Sequence, residues 1–336
     1  MSALETAPSP GLRTNLVARL AIAQRDYPLA QLLLLVILFG VGAATVDGFT
    51  SAYSLRAMIV LSALLGISAL GQTICLLVGG LDVSVPGWIL AGATVTVQLL
   101  GTDTGWSTTE VFLMLGTAAI VIGGLAGLIS YAVRVPALVI TLAVGGIIQG
   151  AVLAWNQAVT GIPPAWIAKI TSPTTKTFGF GVPPVVFIWL LIGIGAYLVL
   201  QRSIVGSWVY ATGNNRRAAE LALVPTHWVW VGAFALSALS GVTAGILLSG
   251  FAAGGDISVG TPYLWNGLTA VLIGGTAFGT RGDYTRTCVG ALIVIVLGQV
   301  MTGWGFDPAD QNILYGALII VVVSLYRRDR RLRDQI

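Results

Sequence analysis

GGLDVSV, residues 79–85, breaks an apolar stretch with two glycines and a carboxylate. The same text returns, one residue shorter at its start, as GGDISVG at residues 254–260. Each copy carries one acidic residue in strongly apolar surroundings, Asp82 in the first and Asp256 in the second. Glycine-interrupted hydrophobic segments repeated in two halves of a membrane chain point to a transport path at a repeat interface. A carboxylate at membrane depth costs about 2.5–3.5 kcal/mol on insertion scales, so such groups face a bundle interior or a cavity. Taken singly, each motif reads equally well as a loop that caps a helix start, since Asp, Ser84 and Ser258 are good N-cap residue types. The repetition favours the transport reading.

Composition sets the class. Of 336 residues, 56% are hydrophobic and only 9% charged, and the mean hydropathy is +0.90. Soluble domains carry about 25% charged residues, so this is an all-α polytopic membrane protein. Glycine is abundant, 43 residues, which suits helices that pack through small side chains. Cys75 and Cys288 lie in or beside apolar runs and read as small buried hydrophobes.

Apolar stretches of about 17–25 residues can cross a bilayer. Ten are present, at about 28–46, 55–78, 84–101, 111–133, 136–159, 183–201, 228–250, 262–279, 286–303 and 311–326. They divide the chain into an N-terminal segment 1–27, a transmembrane region 28–326 and a basic tail 327–336. Arginine placement orients it. With the N-terminus inside, ten spans gather Arg13, Arg134, Arg202, Arg216, Arg217, Arg281, Arg286 and the tail arginines on the cytoplasmic side, and leave Arg56 near the outer face. The 160–182 stretch, which holds both lysines, then lies outside as a folded connector or interfacial helix. No cleavable signal peptide is evident before the first span. Loop 202–227 falls inside, and GNNRRAAELALV within it reads as a short helix after an Asn start.

Several chemistries drop out. The single histidine, His227, sits at a span end beside Trp228, as an interfacial residue would. A membrane-embedded Ser–His pair or a His-rich metal site cannot be assembled. No phosphate-binding loop exists, because neither lysine follows a glycine. The chain moves or binds something and does not itself hydrolyse ATP.

Further blocks carry a resemblance. GGLDVSV is followed by PGWILAGATVTV; then come RVPALVITLAVGGIIQG from Arg134, GFGVPPVVFIWLLI from Gly179, VYATGNNRRAAELALV from Val209, AVLIGGTAFGTRGDYTRTCVGALI from Ala270 and DQNILYGALIIVVV from Asp310. In this order they resemble the permease subunits of ribose-, arabinose- and xylose-type ABC importers, over about residues 50–326. The resemblance implies a fold similar to that of the vitamin B12-type importers, with about ten helices in two related halves. It also implies a second permease chain, a cytoplasmic ATPase carrying the ATP and Mg, an external or periplasmic solute-binding protein, and a bacterial inner membrane. No cofactor on this chain and no nucleic acid are expected. One departure stands out: where relatives carry an acidic run before the Gly-Gly-Thr block, this chain has Tyr263, Leu264, Trp265 and Asn266.

The leading expectation is a permease for a sugar or similar small polar solute, with both termini cytoplasmic. Asp82, Ser84, Asp256 and Ser258 form the broken-helix motif. Trp88, Trp155, Trp265, Asn156 and Asn266 are candidate path residues, because aromatic faces suit sugar rings and amides suit hydroxyls; a lipid-interface belt is the competing reading for each Trp. Gly213, Asn214, Arg216, Ala218, Ala219, Glu220 and Leu221 form the candidate ATPase-coupling helix. Amino acids, nucleosides and furanose-like signals are alternative solutes. The alternative class is an ion-coupled secondary transporter using Asp82 and Asp256 as coupling carboxylates.

Overall fold

In the computed structural model, residues 27–333 are described apart from 102–103, 156–160, 178, 255–257, 277–278 and 280–281, with side chains described as far as Ser324. Among them are thirteen helices: α1 Leu29–Thr45, α2 Ala52–Leu77, α3 Val85–Leu100, α4 Thr108–Val133, α5 Ala137–Trp155, α6 Ala165–Thr171, α7 Pro184–Arg202, α8 Ile204–Asn214, α9 Arg216–Leu221, α10 Thr226–Ala252, α11 Thr261–Gly274, α12 Tyr284–Gly303 and α13 Pro308–Arg333. Each of the ten apolar stretches holds one helix, though that in 262–279 is only the 14-residue α11. Six of these (α2, α4, α5, α7, α10, α12) are long and apolar enough to cross a membrane, and α1, α3 and Pro308–Ser324 of α13 are shorter apolar helices.

Local chemistry marks the ends. Ser107 and Glu110 form a reciprocal capping box on α4, the Ser107 Oγ accepting from the Glu110 N–H and the Glu110 carboxylate accepting from the Ser107 N–H. Asp283 caps α12 by accepting from the Arg286 N–H at 2.9 Å. The span expected at 262–279 ends early, at Gly274, because Gly275 takes the left-handed conformation (φ 102°) that closes a helix. The 160–182 connector does contain a helix, α6, seated against the end of α10 where Ile167 meets Gly250.

Helices α2 and α10 form the centre. They pack against each other, and between them contact every long helix except α1, α5 and α13. Their crossing is close because Gly71 faces Ser237, and a Cβ on Gly71 would collide with the Ser237 backbone. Much of the pairing recurs when α2, α3, α4 and α5 are exchanged for α10, α11, α12 and α13. Thus α10 packs on α3 and α4 as α2 packs on α11 and α12, and α3 packs on α5 as α11 packs on α13.

The bundle has two distinct ends. At one, Trp304 donates to Thr45, the 161–183 connector reaches Gly101 and Arg56, and α13 starts with Gln311 donating to Thr302. At the other, α1 begins with Gln31 donating to the Gly274 carbonyl, α2 and α11 end, and α8 and α9 pack beneath them. The connector and the basic loop therefore lie on opposite faces, and α1 starts on the face of the basic loop.

Candidate functional site

Between α2 and α3 the chain runs without helix from Val78 to Ser84, yet Asp82 is only 1% exposed and Ser84 is buried too. Backbone polar groups at this depth need partners from the protein itself. Asp82 supplies two: its Oδ1 accepts from the Ser84 N–H at 2.8 Å and the Ser84 hydroxyl at 2.6 Å. Thr141, on α5, supplies another, its Oγ1 accepting from the Val83 N–H at 3.1 Å while its hydroxyl lies within reach of the Ala137 and Leu81 carbonyls. The arrangement is a polar cap on a broken helix, with one carboxylate oxygen holding the turn. Ser237 of α10 stands beside both Asp82 and Cys75.

The break leaves α3 short. Its 16 residues extend about 24 Å and the 14 of α11 about 21 Å, against a hydrocarbon core of about 30 Å. Helix α3 starts inside the bundle, and the start of α11 touches it: a Cβ on the buried Gly260, the residue before α11, would collide with the Pro86 carbonyl at the start of α3. The two copies of the repeated motif, 79–85 and 254–260, thus feed two half-helices whose N-termini meet at depth.

Around this meeting point lie buried polar atoms without a partner among the described residues: Gln72 Oε1 on α2, and Asn266 Oδ1 and Thr269 Oγ1 on α11. Gln72 is pressed against Gly267, and Trp88 against Gly241. Such donors and acceptors call for hydrogen-bond partners, and a hydroxyl-bearing solute or water supplies both kinds. Of the candidate path residues, Trp88 is 2% exposed but packs in the apolar cluster between α3, α4, α5 and α10, away from α11, and Asn266 borders the meeting point, whereas Trp265 is 43% exposed and, like Trp155, faces outward. Ser258 lies on the exposed turn before α11. Asp256 and Asn156 lie outside the described residues. Sequence reading passed over Gln72, Thr141 and Ser237; an amide in the middle of an apolar 26-residue helix was the available signal for Gln72.

At the opposite-face loop, the candidate coupling segment divides into two helices. Gly213 and Asn214 close α8, where Gly213 lies against the Leu77 carbonyl at the end of α2. Asn215, one residue beyond, caps α9 by accepting from the Ala218 N–H at 3.1 Å. Glu220 Oε1 then accepts three bonds: from Tyr131 of α4 at 2.9 Å, from Arg216 at 3.0 Å and from Thr226 of α10 at 3.1 Å. The Arg216 guanidinium lies over the Tyr131 ring, 3.5 Å from its centre. The hydroxyl of Tyr131 first, then the Arg216 guanidinium and the Thr226 hydroxyl, hold the Glu220 carboxyl below its ordinary range by hydrogen bonding to it. Ala219 is turned inward (4% exposed), while Ala218 is exposed and Leu221 and Leu223 stand out at 87% and 91%. The short helix is therefore tied to α4 and α10 on one side and offers apolar side chains on the other.

A bundle of apolar helices with two half-helices butted at depth, and a helical loop anchored to its central members, defines a membrane permease. The chain belongs to the family described as branched-chain amino acid transport system / permease component, which matches residues 54–323. It is a transport component rather than an enzyme. Among its relatives are the ribose import permease of Haemophilus influenzae, 23% identical over 312 residues (91% of this chain, 94% of the relative). The fructose import permease of Rhizobium meliloti is 29% identical over 305 residues (89% and 84%). The galactofuranose transporter permease of Escherichia coli is 29% identical over 270 residues (78% and 76%). No solved structure matches the chain.

Proposed function

We propose that this chain is the permease subunit of an ATP-driven importer for a sugar or similar hydroxyl-rich solute. The observation that carries the reading is its full-length likeness to permeases for ribose, fructose and galactofuranose. The fold would be of the vitamin B12-importer kind, with ten membrane crossings, α3 and α11 being half-helices completed by the 79–85 and 254–260 motifs. The basic loop and both termini face the cytoplasm of a bacterial inner membrane. A second permease chain, identical or paralogous, completes the path. An external binding protein delivers solute, and a cytoplasmic ATPase holding ATP and Mg supplies the energy.

The geometry gives this reading a mechanism. The ATPase meets Leu221 and Leu223, and its movement passes through the Glu220 anchor to α4 and α10. Helix α10 packs on α3 and α2, so its displacement parts the seam at Pro86 and Gly260. The unpaired groups of Gln72, Asn266 and Thr269 then exchange protein surroundings for solute hydroxyls. Asp82 and Ser84 hold the broken turn before α3 in shape throughout.

The test is a tagged complex purified with its ATPase in nanodiscs. Sugar-loaded binding protein stimulates ATP hydrolysis in the wild type, and Leu221→Asp with Leu223→Asp removes the stimulation while the chain stays folded. Hydrolysis that is indifferent to the paired substitution refutes the coupling route.

A further inference from the structure

A cavity of about 810 Å³ opens at the face of the basic loop. Its wall joins three parts of the molecule that are far apart in sequence: Gly79–Leu81 of the broken-helix motif, Ser130–Leu138 at the turn between α4 and α5, and Arg216, Arg217 and Glu220 of α9. Three guanidinium groups line it, from Arg134, Arg216 and Arg217, against one carboxylate, Glu220. Glu220 is already engaged by Arg216. Among the described residues, Arg134 and Arg217 have no acidic partner within ion-pair distance. Trp230 adds part of its indole ring to the same wall. The wall is thus rich in donors and net positive, at the end of a membrane helix.

Arg134 itself closes α4 in the left-handed conformation (φ 58°), a position where glycine or asparagine is the usual choice. Its side chain serves the cavity rather than the helix. Leading away from it toward the far face are exposed apolar side chains at helical spacing: Leu125, Ile129 and Val133 on α4, Leu138 and Leu142 on α5. This is a surface for acyl chains, continuous with a basic pocket at headgroup level.

The geometry points to a binding site for an anionic phospholipid, its phosphate held by Arg134 and Arg217, its chains lying along α4 and α5. Guanidinium groups take phosphate oxygens in paired hydrogen bonds, and basic pockets between membrane helices suit acidic head groups. A soluble anion would use the arginines but not the apolar track, which is what favours a lipid. The bound head group would sit between the broken-helix motif and α9, where it fixes their spacing. The site depends on the chain being embedded in a membrane and not on which solute it carries.

The experiment uses the assembled complex in phosphatidylcholine nanodiscs, with phosphatidylglycerol of matched chains added and retained lipid counted by native mass spectrometry. The wild type retains phosphatidylglycerol in preference to phosphatidylcholine, and millimolar inorganic phosphate does not displace it. Arg134→Gln weakens retention about fivefold and Arg134→Gln with Arg217→Gln about 25-fold, the loss of one and two basic contacts, while Arg134→Lys keeps most of it. Size-exclusion profiles report folding of each variant. Four results overturn the inference: equal retention of the two lipids, displacement by inorganic phosphate (a site for a free anion), unchanged retention in the double variant, or retention by the permease alone that vanishes once the ATPase is bound (an acidic protein segment as occupant).

Discussion

Replacing Asp82 by alanine and, separately, by asparagine distinguishes a turn-holding carboxylate from an ion-coupling one. In the structure one oxygen of Asp82 accepts two bonds, from the N–H and the hydroxyl of Ser84 at 2.8 and 2.6 Å, in a segment sealed from solvent. Alanine leaves the Ser84 N–H without a partner, which costs about 1–3 kcal/mol for a buried donor. The hydroxyl can rotate to another acceptor; the amide cannot. Asparagine keeps a carbonyl oxygen in place and loses only the charge assistance, about half the strength of such a bond, or about 0.5–1.5 kcal/mol. The difference between the midpoints, about 1 kcal/mol, corresponds to about a fivefold shift in the population holding the turn. The assay is the initial rate of solute uptake at matched membrane levels, beside thermal stability of the purified chain. Asp82→Asn retains most uptake and Asp82→Ala loses it, with stability falling in the same order. If asparagine abolishes uptake as completely as alanine while stability is intact, the charge is the working part, and the cap reasoning fails.

Four further outcomes follow from the same geometry. Gly260→Val drives a side chain into the Pro86 carbonyl; overpacking of this kind costs about 1–3 kcal/mol, so uptake falls sharply while the chain still reaches the membrane, and normal uptake means the half-helix starts need not touch. Ala219→Arg buries a charge inside the permease itself, so it lowers the yield of folded chain rather than acting only on coupling, as gel filtration of the unpartnered chain will tell. Cysteine at Thr174 reacts with an impermeant thiol reagent from outside and cysteine at Leu221 only after permeabilisation; Leu221 labelling in intact cells reverses the orientation. The Glu220 carboxyl is held below its ordinary value near 4.5, so its anchor is complete above that value and is lost only as pH falls through the lowered one. Coupling therefore stays flat from about pH 5.5 to 8, and Glu220→Gln weakens it across that whole range; a coupling midpoint near neutrality contradicts the assignment.

The helices were legible because an apolar run long enough for a bilayer has few other uses, and the break at 79–85 was legible because Gly-Gly-Asp has no place in one. What faces what was not. In lipid the outer face of a helix is as apolar as its packed face, so periodicity does not separate Trp88, sealed between α3, α4, α5 and α10, from Trp265, on the surface. Ala218 and Ala219 likewise look alike in sequence and point opposite ways. Contacts that join distant segments left no local mark: Thr141 bonding Val83, Tyr131 bonding Glu220, and Gly260 meeting Pro86. The helix cap at Asn215 rather than Asn214 turns on a single residue, within the ordinary uncertainty of helix ends.

The central claim is that ATP on a partner chain, and not an ion gradient, drives solute through this permease. It is tested most directly by reconstituting the permease with its ATPase in proteoliposomes, loading the ATPase-facing side with ATP and Mg, and measuring uptake of radiolabelled ribose, fructose and galactofuranose delivered by the binding protein. Uptake of at least one sugar that requires hydrolysable ATP and persists when ionophores collapse proton and sodium gradients is the predicted result. Uptake that runs without ATP and stops with the ionophores contradicts it.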